Sequence, residues 1–320
     1  MRSLFLAFLS AAALWAGVPA AAQDWPAKPI RLVVPGPPGN SSDIYARYFA
    51  GRLTTLLGQP VTVENRAGGN GFIGATTVTQ APPDGYTVFI AGSSPMAQNM
   101  ALFKSMPYDP VKDFRWISGI FEGMAVLVVS ANSPYKTADA LIAAAKAQPK
   151  KLNYGSYAAA YRLSTEWFNQ ATGIQTSFIP YKGAPQVTTD LIGGQLDFAM
   201  VDSVAVAPLI QGGQLRALVV TGDERHPLLP QTPTLREAGL PAYGKSAWVS
   251  VAVRADTPNP IATKLTATMM KILAEPATKE FSDKQGAFLL AYDDKQMTRF
   301  HASEIEKYKK IAAAAHIPLE

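Results

Sequence analysis

Residues 32–43 read LVVPGPPGNSSD. The apolar run Leu32-Val33-Val34 stops at Pro35, crosses a Pro/Gly elbow, and restarts at the hydroxyl and amide side chains of Asn40, Ser41 and Ser42. That pattern is a strand end followed by a helix start, because Asn and Ser satisfy the first-turn amides of a helix. In the helix that follows, Tyr45, Phe49, Leu53 and Leu56 fall on one broad face, and Gly58 suits the stop. A helix start offers free N–H groups and the positive end of a dipole, which favour a small anion. A phosphate loop would need Lys-Ser/Thr after its glycines. Gly36 and Gly39 are followed by neither, so the cation that pairs with phosphate is missing. A plain N-cap with no ligand is the other reading, and the two are compatible.

Working outward, strand and helix patterns alternate. PVTVEN, a glycine-rich turn, FIGATTVTQA, the turn PPDG and YTVFIAGS continue the first set. A second set begins at MAVLVVS and runs through TADALIAAAKAQP, LNYGS, RLSTEWFNQATG, TSFIPY, APQVTTDLIGG, LDFAMVD, a short helix and LRALVVTG. AWVSVAVRA reads as a further strand, and two helices are expected to close the chain. In the last of them Met297, Phe300, Ile305, Tyr308 and Ile311 share a face. This alternation predicts an α/β protein with parallel pairing and helices on both sheet faces. Two such lobes, with loops at the strand ends aimed at each other, place a ligand in the cleft between them.

Composition narrows the function. Arg2 is followed by LFLAFLSAAALWAGV and by Ala20-Ala21-Ala22, the pattern of a secretory signal peptide cleaved near Ala22. The mature protein is therefore expected to be exported. The chain has no Cys, which excludes disulfides and Cys-linked lipid. The net charge of +5 is spread along the chain, which argues against a nucleic-acid surface and leaves room for anionic small molecules. Gly69, Gly71 and Gly74 fit G-x-G-x-x-G, but the next strand ends in Gly and Ser where a dinucleotide site wants an acid. That loop reads instead as a close approach of backbone to some other ligand. The histidines are only His226, His301 and His316, none in metal or nucleophile spacing, and His301 is expected at the surface or half-buried. YGSYA is not a nucleophile elbow, and Asp109 and Asp113 read as a solvated turn. No enzyme activity, metal or cofactor is expected. The second set supplies Ser156 and Arg162 after one strand, Tyr181, Lys182 and Gly183 after another, and Asp202 and Ser203 after a third. Hydroxyls, N–H groups and cations at one end of a sheet suit a polar anion.

The motifs WPAKPIRLVVPGPPGNSSD, GQPVTVENRAGGNGFIGA, PPDGYTVFIAG, YDPVKDF, LNYGS, PYKGAPQ, DLIGGQLDFAM, GQLRALVVTG and PTLREAGLP occur in this order. With them the chain resembles the Bug family of extracytoplasmic solute-binding proteins, the capture components of tripartite tricarboxylate transporters. The resemblance implies a two-lobed periplasmic-binding-protein fold (Venus-flytrap, type II) with two crossover strands, placed at residues 125–129 and 247–253. The lobes would be residues 23–124 plus 247–320, and residues 125–246. It implies a periplasmic location, a small carboxylate as ligand, the permease subunits of the transporter as partner, and a monomer. Ligand contacts would come from Pro38, Gly39, Asn40, Ser41, Ser42 and Asp43, from Asn70 and Gly71, and from Ser93 and Ser94. Ser156, Tyr181-Lys182-Gly183 and Asp202-Ser203 would complete the ring.

Two departures from the family pattern stand out. Asn40-Ser41-Ser42 replaces a more glycine-rich turn, and YAAAYRLS replaces a loop that usually carries Gly, Thr and His. We expect Arg162 to pair with a second carboxylate and Tyr157 or Tyr161 to pack against a flat body. An aromatic dicarboxylate such as a phthalate isomer is then favoured over an aliphatic di- or tricarboxylate. Service to a sensor kinase instead of a permease, or an exported enzyme, are the other roles the sequence leaves open.

Overall fold

The computed structural model describes residues 25–320, so the signal peptide expected at residues 1–22 lies outside the described residues. β1 (Ile30–Val34) passes over the elbow into α1 (Ser41–Leu57). β2 (Val61–Asn65), a tight turn at Gly69–Gly71, α2 (Phe72–Thr79) and β3 (Thr87–Gly92) follow. β1 runs between β2 and β3, parallel to both, as strand–helix–strand units require. α1 lays Tyr45, Phe49 and Leu53 on the sheet and ends at Gly58, whose φ of 71° is the left-handed turn that favours glycine.

A π-turn at Ser94–Gln98 and α3 (Asn99–Leu102) lead to β4 (Phe114–Gly123). The chain then leaves for a second sheet through Met124 and builds β5 (Ala125–Ser130), α4 (Ala138–Ala147), β6 (Asn153–Ser156), α5 (Ala159–Thr172), β7 (Ser177–Pro180), α6 (Ala184–Ile192), β8 (Ala199–Asp202), α7 (Ser203–Gln211) and β9 (Leu215–Val220). It returns as β10 (Ala247–Arg254), α8 (Asn259–Leu273), α9 (Pro276–Gln285), β11 (Phe288–Leu289) and α10 (Asp294–Ala314). The first sheet has the order β11-β4-β10-β3-β1-β2. In the second, β5 lies between β8 and β9, and the β6–β7 pair is attached through a bridge from Tyr154 to Phe198. The two passages between the sheets lie side by side, with the Ser246 N–H donating to the Gly123 carbonyl at 3.1 Å.

Three expectations need correction. Pairing is parallel for β1–β2, β1–β3 and β6–β7 only; β4, β10 and β11 pair antiparallel, and so does β5 with both neighbours. The cause is topological, since β4 and β5 are the outgoing limb of the chain and β10 the returning one. Three helices close the chain, because Pro276 restarts the helix at Glu275 and separates α8 from α9. His301 is buried, its Nε2–H donating to the Met96 carbonyl at 2.6 Å with the ring against Trp116. Burial holds its pKa below the usual histidine value.

The elbow itself is internally braced. Asn40 Oδ1 accepts the Asp43 N–H at 2.9 Å, capping α1. The Asp43 carboxylate is buried and accepts from the Gly39 N–H at 3.0 Å, from Arg47 Nε and Nη2 at 3.0 Å each, and from Asn65 Nδ2 at 2.9 Å. Burial works to raise the Asp43 pKa, but Arg47, the Gly39 N–H and Asn65 outweigh it and hold it below the ordinary 3.8. A depressed carboxylate pKa contributes stability above the unfolded value, lost as pH falls through the folded one. Asp43→Asn should therefore cost about 2 kcal/mol at neutral pH. In urea melts the gap to wild type should shrink progressively at pH values below about 4.

Candidate functional site

The loops at the carboxyl ends of both sheets meet around one cavity of about 80 Å³. From the first sheet come Asn40, Ser41 and Ser42 at the start of α1, Asn70 and Gly71 in the glycine turn, and Ser93 and Ser94 after β3. From the second come Tyr157 and Tyr161 around the start of α5, Lys182 after β7, and Asp202 and Ser203 between β8 and α7. Strand–turn–helix units place each group, so three α-helix first turns and the π-turn open onto the same space. First-turn amides have no intrahelical acceptor, and here they are accompanied by serine hydroxyls. Ser203 is fully buried and its Oγ has no hydrogen-bond partner within the protein. A buried hydroxyl in that condition is costly unless something in the cavity satisfies it.

The loops also touch each other. The Ala160 N–H of α5 donates to Ser94 Oγ at 3.0 Å; Ser94 donates to Gln98 Oε1 at 3.2 Å, and Gln98 Nε2 donates to the Ser246 carbonyl at 2.8 Å. A Cβ on Gly183 would lie 2.2 Å from Pro37 Cγ, so these two residues form a lip where the lobes meet with no room to spare. The arrangement is closed.

Electrostatically the cavity is mixed. Asp202 is its one acidic lining residue and Lys182, at the exposed rim, its one cation among the described residues. Asp202 caps α7, with Oδ1 accepting the Ala205 N–H at 2.9 Å and Oδ2 accepting the Tyr157 hydroxyl at 2.5 Å. Burial pushes its pKa up, and hydrogen bonds from Tyr157, the Ala205 N–H and Ser41 only partly offset this. Tyr157 and Tyr161 pack with ring centroids 4.8 Å apart. Burial and the nearby Asp202 hold both phenols protonated, well above their usual pKa.

Several expected contacts are used elsewhere. Pro38 and Gly39 are exposed, and Asp43 is spent on Arg47 and Asn65. Ser156 donates to the Ala158 carbonyl at 3.1 Å, and Tyr181 donates to Asp190 at 2.6 Å. Gly183 serves the lip. Arg162 turns away from the cavity, its Nη1 on Glu320 Oε1 at 2.5 Å and its guanidinium 4.7 Å from the Phe178 ring centroid. It lines an adjoining cleft with Ser156 and Tyr181. The cavity also has an apolar floor that no sequence motif marks. Phe121 and Gly123 of β4, Ala247 and Val249 of β10, and Val204 of α7 form it. Sequence offers little signal for these, because they look like ordinary buried strand residues.

Comparison with known proteins assigns the family. The model described as tripartite tricarboxylate transporter family receptor (TctC) matches residues 45–317. Protein BugT of Bordetella pertussis is 35% identical over 293 residues, covering 91% of this chain and 90% of that protein. The structure of R. palustris Rpa4515 with adipate superposes with a TM-score of 0.89 at 33% identity, covering 93% of this chain and all of that one. MatC from Rhodopseudomonas palustris with bound malate gives 0.86 at 26% identity, covering 90% of this chain and all of that one. Proteins of this family are periplasmic receptors that serve membrane permeases and are not enzymes. The cleft between two α/β sheets and the match over most of its length agree: this chain belongs to the Bug-type solute-binding receptors of tripartite tricarboxylate transporters.

Proposed function

We propose that this receptor captures a small dicarboxylate in the closed interlobe cavity, acting as a monomer exported by a leader at residues 1–22. Residues 25–124 with 247–320, and residues 125–246, act as the two closing lobes. The observation that carries the reading is the convergence of helix first turns and serines from both lobes, with the unpartnered Ser203 hydroxyl among them. Such a setting stabilises a carboxylate through charge-assisted hydrogen bonds. The second carboxylate belongs at Lys182, because Arg162 is engaged with Glu320. The small cavity favours an aliphatic body, and the adipate and malate bound to similar receptors support it. An aromatic dicarboxylate such as a phthalate isomer is the second reading, supported by the paired Tyr157 and Tyr161 rings.

A thermal-shift screen of mono-, di- and tricarboxylates, aliphatic and aromatic, tests this directly. A ligand at a hundred times its Kd adds about 2.7 kcal/mol of apparent stability, so at least one dicarboxylate should raise Tm by several degrees. No shift with any carboxylate would overturn the reading. With that ligand, calorimetry should show Ser203→Ala binding about tenfold or more weakly. Gly183→Ala, whose φ of −174° suits any residue, should weaken binding about tenfold because its Cβ meets Pro37. Small-angle scattering should show it remaining more extended than wild type when ligand is added. Arg162→Ala should cost no more than about fivefold, the worth of a partly exposed ion pair, and equally for mono- and dicarboxylates. A loss confined to dicarboxylates would return the guanidinium to the ligand.

A further inference from the structure

A cavity proposed for anions contains a carboxylate of its own. Asp202 is 3% exposed and faces the same space as the first turn of α1. Its capping duty needs only Oδ1, which holds the Ala205 N–H, and Asn or Ser would cap α7 equally well without charge. The second oxygen accepts from the Tyr157 hydroxyl, whose ring packs on Tyr161, and both tyrosines line the cavity. Ser41, in the first turn of α1, lines the same cavity as Asp202. Asp202 and the α1 amides, where a ligand carboxylate would sit, therefore face one space.

That juxtaposition restricts what the ligand can present. A carboxylate oxygen next to Asp202 meets a second carboxyl group whose two oxygens already act as acceptors, and both groups are removed from bulk water. A hydroxyl or ammonium on the neighbouring carbon meets a well-oriented acceptor instead. We propose that Asp202 is a specificity-determining residue that accepts a hydrogen bond from a hydroxyl or ammonium on the carbon adjacent to the bound carboxylate. The site then selects 2-hydroxy- or 2-amino-dicarboxylates over the unsubstituted acids. This rests on the carboxylate reading above and deepens it. Discrimination of this kind is strong because a missing donor leaves the site's acceptor facing an apolar carbon, whereas an added methylene costs little.

The test is calorimetry at neutral pH with matched sets: succinate, malate and aspartate, then glutarate, 2-hydroxyglutarate and glutamate. Wild type should bind at least one substituted acid about tenfold or more tightly than its parent. Asp202→Asn, which preserves the cap, should reduce that ratio to below about threefold, chiefly by weakening the substituted acid. Should that variant fail to fold, Asp202→Ser, whose hydroxyl also caps α7 but carries no carboxylate, is expected to lower the ratio in the same direction. Parent acids binding as tightly as both substituted forms would overturn the inference while leaving carboxylate capture standing. So would a ratio unchanged in the folded variant. If neither these six nor any other carboxylate binds, the reading of the cavity falls and the inference with it. The malate and aspartate arms also separate a hydroxyl from an ammonium as the donor.

Discussion

The site depends on how the first turn of α1 is held. A helix start pointed into a cavity has N–H groups to satisfy and no chain of its own to satisfy them. Here Asn40 takes the Asp43 N–H and Asp43 takes the Gly39 N–H, so the elbow is closed upon itself from behind. Arg47 and Asn65 then lock the Asp43 carboxylate to the body of the first sheet. Ser41 and Ser42 are left to face the cavity on a rigid base. Donors fixed in this way lose little entropy when they meet an anion, which is the advantage of a built site over a mobile loop.

The second lobe completes what the first begins. The donor chain from the Ala160 N–H through Ser94 and Gln98 ends on the Ser246 carbonyl, beside the passage between the sheets. Ser94 is thus both a cavity residue and a member of a buried network, and such networks are costly when partly satisfied. Parting the lobes removes the Ala160 N–H from Ser94 and lets water take its place, so opening is not penalised by an orphaned group. Closure therefore draws on groups that line the cavity, and a ligand that favours the closed form shifts the balance only by its differential contacts there. Arg162 and Glu320 add a partly exposed ion pair across the same gap, of the modest strength such pairs have.

Much of this was legible in LVVPGPPGNSSD and its counterparts, for local reasons. Strand ends and helix starts are written in neighbouring residues, so Ser41, Ser42, Ser93, Asp202 and Ser203 could be placed at the mouths of βα units. Long-range partners are not written locally. Asp43 looks like any acid in a binding turn until Asn65 and Arg47 claim it. Arg162 looks like a ligand-binding cation until Glu320, 158 residues away in sequence, claims it. β4 escaped notice because FRWISGIFEG is buried on both faces and broken by Gly119 and Ser118, so it shows no alternation. The antiparallel strands follow from the chain travelling out and back between sheets, which no single segment records.

The same distinction bears on specificity. Family membership follows from the scaffold, and the scaffold follows from motifs spread along most of the chain. The cavity side chains are oriented by third parties: Tyr161 packs on Tyr157, and Tyr157 donates to Asp202. A receptor family can therefore diversify its ligands through loop residues at the strand ends without disturbing the packing that makes closure possible.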